Sequence, residues 1–192
     1  ASYLSFAQSH SVSPPNSLYY VHKIITPGYK IEVVGLNSAS ISWKDGEDRL
    51  RDLWIGKPQV DAVEDKLSKD ADFRIALVHH PHEALHEHDT AWNKISYLCP
   101  LILHGHLHKP EAVLISDPEH SFVCLPGGSV YQGSIWHSQR YSYGQINLDT
   151  GQLDLYMRMT KPGVDPIYIR DSLTYPRSGD KGHVSIKLKG TS

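Results

Sequence analysis

Two short apolar runs in this sequence end directly in histidines, and this feature constrains the fold more than any other. FRIALV, residues 73–78, is followed by HHPHEALHEHD, and LIL, residues 101–103, is followed by HGHLHKP. These two stretches hold eight of the chain's 13 histidines. A short apolar run bounded by polar residues is typical of a strand that is buried on both faces of an α/β sheet. Because ligand sites form outside the carboxyl ends of such strands, the sequence predicts a site where the two runs end.

The sequence before and between these runs predicts a hairpin and two helices. Residues 17–25 and 29–36 are rich in β-branched and aromatic residues, and a Thr-Pro-Gly turn separates them, which favours a hairpin. From Pro58 onward, valine and leucine residues recur on one helical face. Residues 90–98 predict a second helix.

The sequence after residue 110 is typical of an antiparallel meander. Turn residues separate four short strand-like segments: residues 111–115, 121–125, 141–148 and 152–159. Residues 161–182 are rich in proline, glycine and charge and predict an irregular arm, and residues 183–188 predict a final strand. We therefore expect an α/β fold with a mixed sheet over residues 1–160, followed by a C-terminal extension over residues 161–192.

Composition limits the class of protein. The chain has 192 residues, of which 40% are hydrophobic and 21% are charged, as expected for one globular domain. A formal net charge of −2 argues against a broad nucleic-acid surface. No apolar run approaches the roughly 20 residues that a membrane helix needs. Two cysteines cannot form a disulfide framework, so we expect free thiols and a cytoplasmic location.

The first histidine stretch contains HEALH, which matches the zinc-protease pattern of two histidines one helical turn apart. That chemistry requires His82 and His86 to lie on one face of a stable helix. Pro81 directly precedes the motif and would place His82 in an unformed first turn. The surrounding residues are polar on all sides, so no apolar stripe would anchor a helix. We therefore interpret His82, His86 and His88 as residues of a solvated loop.

The histidines nearest the strand ends are the candidate metal ligands: His79, His106 and His108. Gly105 permits a sharp turn, and two histidines two positions apart project to the same side of an extended backbone. Neutral imidazole suits zinc, iron and manganese. A single histidine after a strand is often only a hydrogen-bonded surface residue. Here the glycine, the spacing and the strand context agree on a metal site.

LVHHP and LILHGHLHKP resemble the last two motifs of the calcineurin-like metallophosphoesterases, which are H-x-P and G-H-x-H, each after a strand. VVGLNS before them and CLPGGSVYQGS after them are also similar to this family. The resemblance covers residues 19 to about 159. It implies a four-layer α/β/β/α sandwich and a pair of divalent or trivalent ions (manganese, iron or zinc), bridged by a carboxylate and a hydroxide.

The resemblance also implies a role for each histidine. His79 and His106 would bind the second ion, and His108 would bind the first. His80 would lie beside the site, where it would touch the phosphate of a phosphate-ester substrate or support a ligand. The implied activity is that of a hydrolase, such as a phosphodiesterase.

Three motifs of the family are missing from this sequence: D-x-H, G-D-x-x-D and G-N-H followed by an acidic residue. They supply the aspartate and asparagine ligands, and all of them belong to the family's N-terminal half. The chain therefore resembles the C-terminal half of a metallophosphoesterase, and we expect only a partial metal site in it. Its partner would be the missing N-terminal half, and the sheet edge left exposed would favour self-association.

Two functional hypotheses follow. In the first, the chain is part of a dinuclear metal phosphoesterase and is inactive by itself. In the second, it is a catalytically silent module that binds metal or another protein.

Overall fold

The structure is a computed structural model that describes residues 18–39, 53–107, 112–116, 120–129, 139–161, 167–178 and 183–188. Within these ranges the chain forms ten strands, two α-helices and two short 3-10 turns. None of the described helices has the length and apolar character needed to cross a membrane.

The first sheet has six strands in the order β1-β2-β3-β4-β6-β5. Their bounds are Tyr19–Thr26, Tyr29–Leu36, Phe73–Val78, Leu101–His104, Val113–Ser116 and Ser121–Pro126 for β1 to β6. Strands β2, β3, β4 and β6 are parallel, whereas β1 and β5 are antiparallel to their neighbours. The predicted β1–β2 hairpin and the two predicted buried strands are confirmed. The four parallel strands all end at one edge of the sheet, and the histidine stretches follow two of them.

Two helices cover one face of this sheet: α1 at Lys57–Glu64 and α2 at Ala91–Leu98. Val60 and Val63 of α1, together with Trp92 of α2, are buried in a core that also contains Ala76 and Val78 of β3. Successive side chains of a strand point to opposite faces, so Phe73 and Ile75 of the same strand face away from the helices. The strand is covered on both faces, as its continuous apolar sequence predicts.

A second sheet covers the other face. It contains β7 at Arg140–Asn147, β8 at Gln152–Thr160 and β10 at Val184–Lys187, with β9 at Tyr168–Arg170 paired to β8. Leu155 and Leu188 pack in one core with Leu101 and Val123 of the first sheet. The described residues therefore form three layers, in the order helices, first sheet and second sheet. The α/β fold is confirmed, and the fourth layer stays a prediction.

The predicted meander is divided between the two sheets. β5 and β6 pair with each other, but β6 also runs parallel to β4 and so belongs to the first sheet. β7 and β8 form the hairpin at the centre of the second sheet. β9 lies within the segment predicted to be irregular, and β10 confirms the predicted last strand. The division into residues 1–160 and 161–192 stays a prediction.

A buried ion pair joins β2 and β3 beneath the helices. Glu32 is 1% exposed, and its carboxylate accepts hydrogen bonds from Arg74 Nε at 3.0 Å and from the Ser68 backbone N–H at 2.9 Å. Burial by itself raises the pKa of the Glu32 carboxyl, but these two donors outweigh burial and hold the pKa below its usual range. The folded chain therefore keeps Glu32 ionised and paired.

We predict that Arg74→Ala lowers the free energy of unfolding by about 3 kcal/mol, because the buried Glu32 carboxylate loses its closest cation and keeps only the half-exposed Lys23, whose Nζ lies 3.5 Å away. Urea denaturation at pH 7 measures this loss. Lys30→Ala, which removes a solvent-exposed partner of Asp70, is the control and should leave the midpoint unchanged. Equal losses of unfolding free energy in the two variants would show that Arg74 does not stabilise the buried Glu32 carboxylate.

The same pair predicts a pH dependence. A carboxyl whose pKa is lowered on folding adds stability above its unfolded pKa, about 4.3 for glutamate, and this stability is lost as pH falls through the folded pKa. Below about pH 4, the unfolding free energy of the wild type should therefore fall more steeply with decreasing pH than that of Glu32→Gln. Parallel pH profiles would contradict the assignment.

Candidate metal centre

Three neighbouring parallel strands end in register at one edge of the first sheet. Leu36 of β2 pairs with Val78 of β3, and Val78 pairs with His104 of β4. The residues that follow these strand ends therefore enter one region of space. They include Ser38, the pair His79 and His80, and His106.

His79, His80 and His106 form a cluster that can hold a metal ion. One ring nitrogen from each lies within 4.8 Å of the others. The ring centroids are 4.6 Å apart for His79 and His80, 5.1 Å for His80 and His106, and 5.7 Å for His79 and His106. His80 is buried, His106 is half-buried and His79 is exposed. The cluster thus runs from the protein interior to the solvent.

The backbone at His106 is unusual. Its φ is +65°, and it has the only positive φ of a described residue other than glycine. The Leu107 backbone N–H donates to the Gly105 carbonyl at 2.7 Å, which makes a three-residue γ-turn centred on His106. The γ-turn with positive φ is rare and strained, and such strain is concentrated at functional sites. The turn aims the His106 ring back toward His79 and His80.

Gly105 allows the two loops to pack closely. Its backbone N–H donates to the His79 carbonyl at 3.0 Å. A Cβ atom at this position would lie 3.0 Å from His79 Nδ1, closer than side chains normally approach. The sequence predicted a sharp turn at Gly105, but the positive φ lies at His106, and the role of the glycine is to leave space for the His79 ring.

Ser38 is part of the site and was not predicted from the sequence. It is buried, its Oγ lies 2.9 Å from His80 Nδ1, and the same Oγ accepts the His80 backbone N–H at 3.2 Å. Ser38 lies two residues after the end of β2, but the rule that places functional groups there applies only once β2 is known to run parallel to β3.

The structure brings together His79, His80 and His106. His108 lies outside the described residues, so its role as a ligand stays a prediction, as do the individual roles of the other three. Among the described residues, no aspartate, glutamate or cysteine joins the cluster. Three neutral imidazoles fit one ion, but they carry no negative charge to hold a second cation nearby.

The HEALH segment does not form a zinc-protease helix. Residues His82–Ala84 form a single 3-10 turn, and Leu85 after it is extended. The His82 ring stacks on Trp92 at 5.2 Å, and the His86 ring stacks on Trp54 at 4.5 Å. The interpretation of this stretch as a loop is confirmed, with the addition that tryptophans support two of its histidines.

Burial keeps three other titratable side chains uncharged near neutral pH: Cys99, Cys124 and His104. It raises the pKa of the Cys99 and Cys124 thiols to about 12, so both remain neutral and are poor metal ligands. Burial also lowers the pKa of His104, and a hydrogen bond to the Gly105 carbonyl only partly offsets this effect. The His104 ring is therefore neutral near pH 7.

The comparisons with known proteins leave the family open. No family model and no curated protein matches the chain. Among solved structures, similarity is found to a candidate 5'-nucleotidase from Staphylococcus aureus in complex with alpha-ketoglutarate. The TM-score is 0.35 with 10% identity, over 80% of this chain and 30% of that one.

Two further solved structures are similar at the same level. GAP50, the anchor in the inner membrane complex of Plasmodium, has a TM-score of 0.40 and 13% identity over 90% of this chain and 54% of its own. A hypothetical protein from Thermus thermophilus has a TM-score of 0.37 and 14% identity over 77% of this chain and 58% of its own. The chain thus spans between about a third and three fifths of these proteins' lengths. Similarity this weak carries no functional information.

We predict that His106→Gly is more stable than His106→Ala by about 1 kcal/mol, because glycine adopts positive φ without steric cost. Urea denaturation of the two variants measures the difference. The control is the same pair of substitutions at Leu107, where φ is not positive and alanine should be the more stable residue. The same order at both positions would contradict a strained backbone at His106.

Proposed function

We propose that this chain carries part of the metal centre of a metal-dependent phosphoesterase. The observation that carries the proposal is the convergence of His79 and His106, which belong to the H-x-P and G-H-x-H motifs, at the ends of neighbouring parallel strands.

Each histidine has a role in this proposal. His79 and His106 hold one ion, and His108 is the ligand of the other. His80 lies beside the site, where it contacts the phosphate or supports a ligand. A pair of divalent ions neutralises the phosphoryl oxygens and lowers the pKa of a bound water, which supplies hydroxide near neutral pH. The imidazoles contribute fixed, neutral donors that leave the charge of the ions available to the substrate.

The proposed partner is the N-terminal half of the domain. Two cations about 3.5–4 Å apart need carboxylates between and around them, and the three clustered histidines supply none. We propose that the D-x-H, G-D-x-x-D and G-N-H motifs of that half complete the site. Until it docks, self-association through open sheet edges is the expected competing reaction. In support, Val113, Leu114 and Ile115 are exposed on β5, at the edge of the first sheet.

A reducing, cytoplasmic environment is consistent with the two cysteines. Both are buried and free. The substrate class is a phosphate ester, with a small phosphodiester as the natural first test, because the near-neutral charge of the chain does not favour a long nucleic acid.

The second candidate function is a metal-binding module without catalysis. The specific observation in its favour is that the described cluster contains imidazoles alone. The two candidates differ in one property, which is whether the complete protein turns over a phosphate ester.

We predict that the isolated chain hydrolyses bis(p-nitrophenyl) phosphate no faster than buffer containing the same concentration of manganese. The reason is that, among the described residues, no carboxylate joins the cluster to hold a second ion. Release of p-nitrophenol, measured by absorbance, is the readout. Sustained turnover that survives further purification would mean that the chain supplies carboxylate ligands of its own.

In the complete enzyme, we predict that His106→Ala and His108→Ala each lower turnover of the same substrate by orders of magnitude, because each removes a ligand. His86→Ala is the control, since that ring stacks on Trp54 away from the cluster, and it should leave turnover nearly unchanged. Similar losses in all three variants would contradict the ligand assignment.

A further inference from the structure

The burial of His80 does not suit a residue that contacts the substrate. His80 is 7% exposed, whereas His106 is half-buried and His79 is exposed. A phosphate ester arriving from solvent would meet His79 first. An ion within the cluster, by contrast, would lie within reach of all three rings, because their ring nitrogens are within 4.8 Å of one another.

Ser38 makes two contacts with this one histidine. Its Oγ accepts the His80 backbone N–H at 3.2 Å and lies 2.9 Å from His80 Nδ1. Ser38 is 1% exposed and belongs to the turn after β2, so the oxygen is fixed by the sheet rather than by solvent. One hydroxyl thereby locks both the backbone and the ring of His80.

We propose that His80 is a third ligand of the ion held by His79 and His106, and that Ser38 is its positioning residue. A hydroxyl oxygen has two lone pairs, so Ser38 Oγ can accept from both the His80 backbone N–H and Nδ1–H. Nδ1 then carries the proton and Nε2 carries the lone pair that binds the ion. Metal-ligating histidines commonly donate their other ring N–H to a fixed oxygen, which sets both tautomer and orientation.

This inference rests on the metal site of the proposed function and is independent of ester hydrolysis. It changes the role of His80 from phosphate contact to coordination. It also gives this chain a complete set of three neutral ligands for a zinc-like ion with an open position. The site would therefore bind one ion before any partner supplies carboxylates.

The test uses the whole 192-residue chain, labelled with ¹⁵N, and Zn²⁺ as the probe. Long-range ¹H–¹⁵N spectra report the protonation and coordination of each imidazole nitrogen. We expect His80 Nδ1 to be protonated, and Nε2 of His80 to shift on addition of Zn²⁺ together with the rings of His79 and His106. Shifts confined to His79 and His106, or no shift at all, would overturn the proposal.

Two serine variants test whether Ser38 positions the His80 ring or only stabilises the fold. Ser38→Ala should weaken Zn²⁺ binding, measured by calorimetry, by about 10- to 100-fold and should mix the two His80 tautomers in the same spectra. The matched control is Ser96→Ala, another buried serine, whose hydroxyl bonds the Asn93 carbonyl in α2. It should change neither readout. A Ser38→Ala chain with wild-type affinity and a single tautomer would overturn the role of Ser38.

His80→Ala should weaken Zn²⁺ binding more than Ser38→Ala does, because it removes a ligand and not only its support. His88→Ala, at an exposed position outside the cluster, should have no effect. Unchanged affinity in His80→Ala would overturn the coordination. A phosphoesterase assay plays no part in these measurements, so a failure of the proposed function would be seen separately.

Discussion

The in-register parallel pairing of β2, β3 and β4 is the constraint on which the rest of the structure depends. Leu36, Val78 and His104 lie side by side, so the three segments that follow them must leave the sheet at the same place. Backbone hydrogen bonds fix this register, and a slip by one residue would turn every apolar side chain of β3 to the wrong face. Helices on one side and the second sheet on the other bury both faces, which makes such a slip costly. The positions of the histidines therefore follow from burial, and no contact between the histidines themselves is needed to explain them.

Local patterns in the sequence were enough to predict the elements that have a clear period or composition. The β1–β2 hairpin, both helices and the two strands that precede the histidines are all present near their predicted positions. Features that depend on contacts between distant segments of the chain were harder to predict. Leu53 and Ile55 belong to no predicted helix or strand, yet both are buried in the core beneath the helices, where Leu53 forms an isolated parallel bridge with Leu85. Likewise, β6 and β7 belong to different sheets because they pair with different strands. A short stretch of sequence does not show which strand another strand will pair with.

The residues of the candidate site likewise include some that local sequence predicts and one that it does not. His79 and His106 were predictable because each follows an apolar run and belongs to a spaced motif. Ser38 was not, because its importance comes from a contact with a residue 42 positions away. A serine after a strand has no distinctive pattern until the register of the sheet is known. The three imidazoles can accept one cation, but as neutral groups they offset none of its charge. The negative charge that a dinuclear site needs would have to come from carboxylates outside this cluster.

The last strand has a consequence for how the chain holds together. Leu188 is buried among residues of both sheets, and its backbone N–H donates to the Gly151 carbonyl at 2.8 Å. β10 thereby closes one side of β8 with residues that lie much later in the sequence. Removing β10 and Leu188 would open the core between the sheets and would uncover a second row of unpaired backbone groups. This late segment is thus an integral part of the second sheet, and the core between the two sheets depends on it.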